Sequence, residues 1–191
     1  MKQSMDIMIV GVGGQGTLLA SRILGRVFLE QGYDVKISEV HGMSQRGGSV
    51  VTYVRCGEEV HSPVICRGEA DIILSFEELE AARWLPYLKK GGVLITNTQQ
   101  INPMPVVTGA AVYPQGLLDQ IREAGVKLIA IDALAIAQEA GTAKAVNVAL
   151  IGAMANHLHL DVNILRQAVE QMVPAKFLEI NLRAFDLGTQ A

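Results

Sequence analysis

The sequence predicts a three-layer α/β/α domain around a mixed, mostly parallel sheet, and three observations carry that expectation. An apolar run at the start of the chain stops in a glycine-rich turn and passes into a helical pattern. A β-branched run at 49–55 follows the second strand with no helix between them. From residue 71 apolar strands and helical stretches alternate, and a helical C-terminal third closes the chain.

Asp6 to Val10 reads as a buried strand because a short apolar run ends at Gly11, and Gln15 to Glu30 carries apolar residues at helical spacing until Gly32 closes it. Asp34 to Glu39 is the next strand, so the opening reads as a Rossmann-like βαβ unit with a parallel pair and a right-handed crossover. Ser49 to Arg55 is then a strand, Cys56 to Glu59 a turn, and Val60 to Ile65 a short partner strand with Pro63 at an edge. That inserted hairpin makes the sheet mixed. Asp71 to Phe76 is a buried strand, Glu77 to Lys89 a helix, Lys90 to Gly92 a turn and Val93 to Thr96 a strand. A proline-containing stretch from Ile101 to Tyr113 leads to a helix at Gly116 to Ala124, a strand at Lys127 to Ile131 and a helix at Ala133 to Ala140. Helices fill the remainder, with breaks at Leu160-Asp161 and Val173-Pro174, and Asp161 is placed to cap a helix over Val162 to Met172.

A chain of 191 residues, half of them hydrophobic, fills one core, so residues 1–191 are read as a single domain. A net charge of −3 without a Lys/Arg cluster argues against nucleic acid and against an anionic membrane surface. The apolar start at Met5 to Val10 is too short for a signal-peptide core, and the run from Leu128 to Ala137 is broken by Asp132, so a cytoplasmic location is expected. Cys56 and Cys66 are too few for a four-thiolate cluster and too far apart for a CxxC pair.

Gly11, Gly13 and Gly16 match Gly-x-Gly-x-x-Gly between a strand and a helix, where the backbone approaches an anion closely and helix amides receive it. Glu39 ends the following strand, the place of a ribose-binding acid, so a stand-alone oxidoreductase binding NAD(P) or FAD is one reading. Glycines that only permit close helix–strand packing are another, and a regulatory nucleotide-binding module a third. The loop from Glu39 to Gly48 sets an acid, the His41 imidazole and the Arg46 guanidinium on a backbone with three glycines. Arg46 suits a phosphate or carboxylate, or else a structural ion pair.

Gly11-Val-Gly13-Gly14-Gln15-Gly16-Thr17, together with Glu39-Val-His41-Gly-Met-Ser44-Gln45-Arg46-Gly47-Gly48-Ser49, resembles the beta subunit of indolepyruvate:ferredoxin oxidoreductases. The organisation is similar, more distantly, to the gamma subunit or domain of 2-oxoacid:ferredoxin oxidoreductases, including Ser62-Pro63 and Asp71. The resemblance implies oxidative decarboxylation of an aryl pyruvate with coenzyme A, giving an aryl-acetyl-CoA, carbon dioxide and reduced ferredoxin. It implies a large alpha subunit that carries thiamine diphosphate and iron–sulfur clusters, with no cofactor on this chain and no activity without the partner. Gly11, Gly13, Gly14, Gln15, Gly16, Thr17, Glu39, Ser44, Gln45, Arg46, Gly47 and Gly48 are then the expected binding residues, facing CoA, substrate or the partner. His41 and Arg46 are the candidates for a catalytic role.

Other residues carry weaker signals. His157 and His159 sit two apart in a helical stretch and point to different faces, which argues against a shared metal. Asn147 and Asn156 lie in an apolar helical stretch and suit either an interface or internal hydrogen bonds, and Ser44 has no nucleophile pattern around it. A chain that completes a larger subunit is expected to carry an apolar patch, and the C-terminal third is the expected place for it.

Overall fold

The computed structural model describes residues 4–40, 48–158 and 160–191. In chain order the first elements are β1 (Met5–Val12), α1 (Thr17–Glu30), β2 (Asp34–Val40), β3 (Ser49–Gly57), β4 (Ala70–Ser75), α2 (Glu78–Trp84) and β5 (Leu88–Asn97). They are followed by α3 (Met104–Val107), α4 (Leu117–Glu123), β6 (Lys127–Ile131), α5 (Ala133–Ala140), α6 (Val146–His157), α7 (Val162–Met172) and α8 (Leu178–Gly188). Six strands form one sheet in the order β2-β3-β1-β4-β5-β6, in which β3 runs antiparallel to both neighbours and the other pairings are parallel. This is the mixed α/β architecture that the sequence predicts.

Four local expectations are corrected. β1 and β2 run the same way but do not pair, because β3 lies between them, with Ile37 opposite Val54 and Met8 opposite Tyr53. The reason is in the side chains: β3 buries Val51 to Val54 and gains from a neighbour on each side, whereas Asp34, Lys36 and Glu39 suit β2 to a sheet edge. With both edges of β3 taken, the expected hairpin partner at Val60 to Ile65 has nowhere to pair and forms no strand. The Arg55 guanidinium instead holds this stretch through the carbonyls of Ser62 (3.3 Å) and Val64 (2.9 Å) while making a two-point pair with Asp6 (2.9 and 2.8 Å). Farther on, the helix expected to reach Lys89 ends at Trp84, where Pro86 falls in a 3-10 turn over Leu85–Tyr87. The expected turn at Lys90 to Gly92 is an irregularity within β5, whose register against β4 jumps from Ala70↔Leu88 to Ile72↔Val93.

Helices cover both faces of the sheet. One face packs against α1, α5, α6, α7 and α8 through Ile7, Ile9, Leu74, Ile95 and their neighbours. The other packs Met8, Val10, Ile73 and Leu94 against α2 and α4. Helix α6 is buried from Val146 to Ala155 and is apolar nearly all round, as a helix enclosed on every side must be. It crosses α8 at Gly152 and Gly188, where an added Cβ would run into the Phe185 and Ala149 carbonyl oxygens respectively. The absence of side chains there sets how closely the two helices approach. No helix among the described residues is long and apolar enough to cross a membrane.

Candidate functional site

Chain direction changes at the centre of the sheet: from β1 the connection through α1 leads to one side, and the strands after β4 build the other. Ligands of open α/β sheets bind beyond the C-terminal strand ends at such a switch point. Here a cleft of about 500 Å³ opens between the glycine turn after β1, Gln99 and Ile101 after β5, Leu134 of α5 and Lys144 ahead of α6.

The glycine turn is shaped by four contacts. Gly13 N donates to the Gly48 carbonyl at 2.9 Å, which fastens the turn to the end of the loop preceding β3. The Gln15 side chain folds back so that its Oε1 accepts from Val12 N at 2.7 Å and its Nε2 donates to the Phe76 carbonyl at 2.9 Å. Asn147 of α6 donates to the Gly16 carbonyl at 3.2 Å. Gly16 has φ +83° and caps α1 with no side chain, and a Cβ there would lie 2.5 Å from Asn147 Nδ2, so both backbone conformation and space call for glycine. The amides of Thr17 and Leu18 in the first turn of α1 take no partner among the described residues. The helix dipole adds to their attraction for an anion. Lys144 is the one charged residue lining the cleft among the described residues, and no carboxylate opposes it there.

The expected site residues therefore separate. Gly14 and Gly16 line the cleft directly, Gln15 lines it with its amide already engaged at both ends, and Gly11 has no room for a side chain beside Gln15 Oε1 and Phe76. Thr17 stands at the head of α1, and Gly48 serves the turn through its carbonyl. Glu39 is elsewhere: β3 separates its strand from β1, a displacement of two strand spacings, about 10 Å. Its Oε1 accepts from Ser21 Oγ of α1 at 3.2 Å. His41, Ser44, Gln45, Arg46 and Gly47 lie outside the described residues, as does His159; His157 ends α6.

Several residues that matter here carry little sequence signal. Asn97, fully buried, donates to the Phe76 carbonyl (3.2 Å) and accepts from Ala133 N (3.1 Å), so the Gln15 and Asn97 amides tie the ends of β1, β4 and β5 to the start of α5. Glu77, 1% exposed, caps α2 by accepting from Glu80 N at 2.9 Å, and its Oε1 accepts from both Tyr113 Oη (2.6 Å) and Ile101 N (3.0 Å). Burial, and then the Glu77 carboxylate, push the Tyr113 phenol well above its ordinary value. Glu80 receives Ser49 Oγ and Trp84 Nε1, with Arg83 alongside at 3.0 Å. The signal available was three acids directly after a buried strand, which also reads as an ordinary acidic first turn of a helix.

Residues 6–191 match the pyruvate ferredoxin/flavodoxin oxidoreductase family. The chain belongs to this family. It is similar to the indolepyruvate oxidoreductase subunit IorB of Thermococcus kodakarensis, at 45% identity over 97% of this chain and 95% of the relative. It is likewise similar to IorB of Archaeoglobus fulgidus, at 36% identity over 96% and 93%. The fold is that of the keto/oxoacid ferredoxin oxidoreductase gamma subunit from Geobacter sulfurreducens, with a TM-score of 0.72, 23% identity and coverage of 97% and 96%. In some relatives the same unit forms part of a longer chain. The ketoisovalerate oxidoreductase subunit VorA of Methanothermobacter marburgensis (26% identity) matches 97% of this chain over 36% of its own length. A 2-oxoglutarate:ferredoxin oxidoreductase from Magnetococcus marinus, whose structure holds 2-oxoglutarate, coenzyme A and succinyl-CoA, matches all of this chain over 31% of its length, with a TM-score of 0.73 and 19% identity.

Proposed function

We propose that this chain is the non-cofactor subunit of an indolepyruvate (arylpyruvate):ferredoxin oxidoreductase, and that its cleft receives the anionic end of coenzyme A. The larger partner supplies thiamine diphosphate and the iron–sulfur clusters, decarboxylates the aryl pyruvate, passes electrons to ferredoxin and transfers the acyl group to CoA. The two cysteines of this chain fall short of a four-thiolate set, which agrees with placing the clusters on the partner.

The observation that carries the CoA assignment is a cleft lined by Gly14, Gly16 and Lys144, with no carboxylate in its described lining, next to the uncapped amides of Thr17 and Leu18 at the head of α1. CoA presents phosphates at one end and a thiol at the other. Phosphates held here would let the thiol extend toward a neighbouring active site while this chain performs no chemistry. Binding of this kind lowers KM without lowering the chemical barrier. Arg46 is proposed as a further phosphate-binding residue from the sequence motif that carries it, as a guanidinium suited to two-point binding of a phosphate. Free dinucleotide binding is the weaker reading, because Glu39 is displaced from the ribose position and engaged with Ser21.

The test is steady-state kinetics of the complex assembled without oxygen, following viologen reduction by indolepyruvate. Lys144→Ala should raise the KM for CoA about ten-fold with kcat retained, the behaviour of lost ground-state binding. A KM for CoA equal to wild type would remove CoA from this cleft. A wild-type complex that shows no activity with any aryl pyruvate would remove the enzyme assignment.

A further inference from the structure

The three most exposed large hydrophobic residues among those described do not lie in the C-terminal third, where the sequence suggested an apolar patch. In that third Phe177 is the one large exposed hydrophobic residue among those described. Three others cluster between β5 and α4: Met104 and Val107 are each 65% exposed and Val112 is 86% exposed. Met104 and Val107 stand one turn apart on α3 and share a face. Ala111 N donates to the Pro105 carbonyl at 3.0 Å, which returns the chain at Val112 to the side of α3. No charged residue occurs between Lys90 and Asp119. An exposed excursion that has neither charge nor buried apolar anchors is poorly suited to water.

The excursion is nevertheless firmly mounted. Its first residue, through Ile101 N, and the residue just past its end, through Tyr113 Oη, are held by the same oxygen, Glu77 Oε1. Tyr113 Oη also accepts from Leu79 N at 3.1 Å, and the Gln99 carbonyl accepts from Glu78 N at 3.0 Å. Both feet therefore stand on the head of α2, and Ile101 at the first foot lines the cleft. A rigid apolar projection lowers the ordering cost of association, as preorganised binding elements do.

We propose that the segment from Ile101 to Val112 is the docking element by which this chain seats on the larger subunit of its enzyme, beside the mouth of the cleft. The inference rests on the reading of the chain as an oxidoreductase subunit. The occupant is indicated by the longer chains in which this unit fills only 36% or 31% of the length: there the unit is covalently attached to further polypeptide, and a counterpart on a separate chain would here be held by a surface. Seating at this place covers Met104, Val107 and Val112 and sets the partner against the cleft, where a CoA thiol would have to leave.

The test is co-expression of the tagged chain with the large thiamine-dependent subunit, measuring the amount of that subunit retained and the dissociation constant of the reconstituted pair. Met104→Asp with Val107→Asp should weaken assembly roughly ten-fold or more, as loss of central apolar anchors does. Leu29→Asp, at an exposed apolar site (57%) on the far end of α1, should leave assembly unchanged. A milder pair, Met104→Gln with Val107→Thr, should give the same direction while the melting temperature of the free chain stays at the wild-type value. Wild-type retention by both altered pairs would overturn the docking surface and leave the enzyme assignment intact. Failure of the unaltered chain to retain the large subunit would overturn both.

Discussion

Gln15 and Phe76 are joined by a single amide bridge, Gln15 Nε2 to the Phe76 carbonyl at 2.9 Å, while the other end of the same side chain holds Val12 N at 2.7 Å. The turn after β1 is thus pinned to the end of β4 by a residue that the Gly-x-Gly-x-x-Gly pattern leaves unspecified. Gln15→Ala should cost about 1–3 kcal/mol, since it leaves the buried Val12 amide without its partner and the Phe76 carbonyl with Asn97 alone. Urea unfolding of the free chain measures this. Gln15→Glu keeps the acceptor for Val12 N but replaces the donor by an oxygen facing the Phe76 carbonyl, and should be no more stable than alanine.

Gly152→Ala tests the crossing of α6 and α8. The added methyl meets a backbone carbonyl rather than a flexible side chain, so the helices have to separate. We expect a loss of about 3 kcal/mol, the upper part of the usual range for overpacking, in thermal or urea unfolding. Helix propensity alone would predict a gain of about 1 kcal/mol for the same change, so the sign decides between the two effects.

Alkaline pH should weaken the fold through Cys56. Burial pushes its thiol up to about 11 from 9.0. A raised folded value favours the protonated form, so the full stability is present below pH 9 and is lost as pH rises through 11. The difference of two pKa units corresponds to roughly 2–3 kcal/mol at most. Tyr113, raised by burial and by Glu77, adds to the loss above pH 10. Cys56→Ala should flatten the part of the profile between pH 9 and 10, measured as unfolding free energy against pH.

Arg55→Ala removes the pair with Asp6 and the hold on the Ser62 and Val64 carbonyls together. Both charges are mostly shielded, with side chains 25% and 16% exposed, so the loss should exceed that of a surface pair and reach about 2 kcal/mol. Hydrogen exchange offers the sharper reading: protection should fall selectively across residues 58–66 while β1 remains protected.

The strands, most helices and the glycine turn were legible in the sequence because each rests on a local signal: an apolar run, a 3.6-residue period, a glycine or a capping Asp161. The neighbour relations were not. That β3 enters between β1 and β2 depends on Val51 to Val54 needing two partners, a comparison among three segments that no single window contains. Val60 to Ile65 has the composition of a strand but lacks a free edge to join. The same division holds at the site. Gly14 and Gly16 are visible in the glycine turn, but Lys144, Asn97 and Glu77 come from segments 61 to 130 residues downstream and are recognisable only once the fold has gathered them. Asn147, ambiguous in an apolar stretch, proves to be the donor that ties α6 to the Gly16 carbonyl.

The placement of β3 also bears on how the chain assembles as it leaves the ribosome. β1, α1 and β2 are synthesised before β3, yet the two strands cannot join, because the sheet requires a gap one strand wide between them. Until residues 49–57 emerge and fill that gap, Ile7, Ile9, Leu24 and Phe28 have only an incomplete surface to close upon. The opening third is therefore expected to stay collapsed but unzipped until the third strand arrives, and a pause in synthesis after β2 has emerged but before β3 has would prolong the interval in which chaperones or proteases find it open.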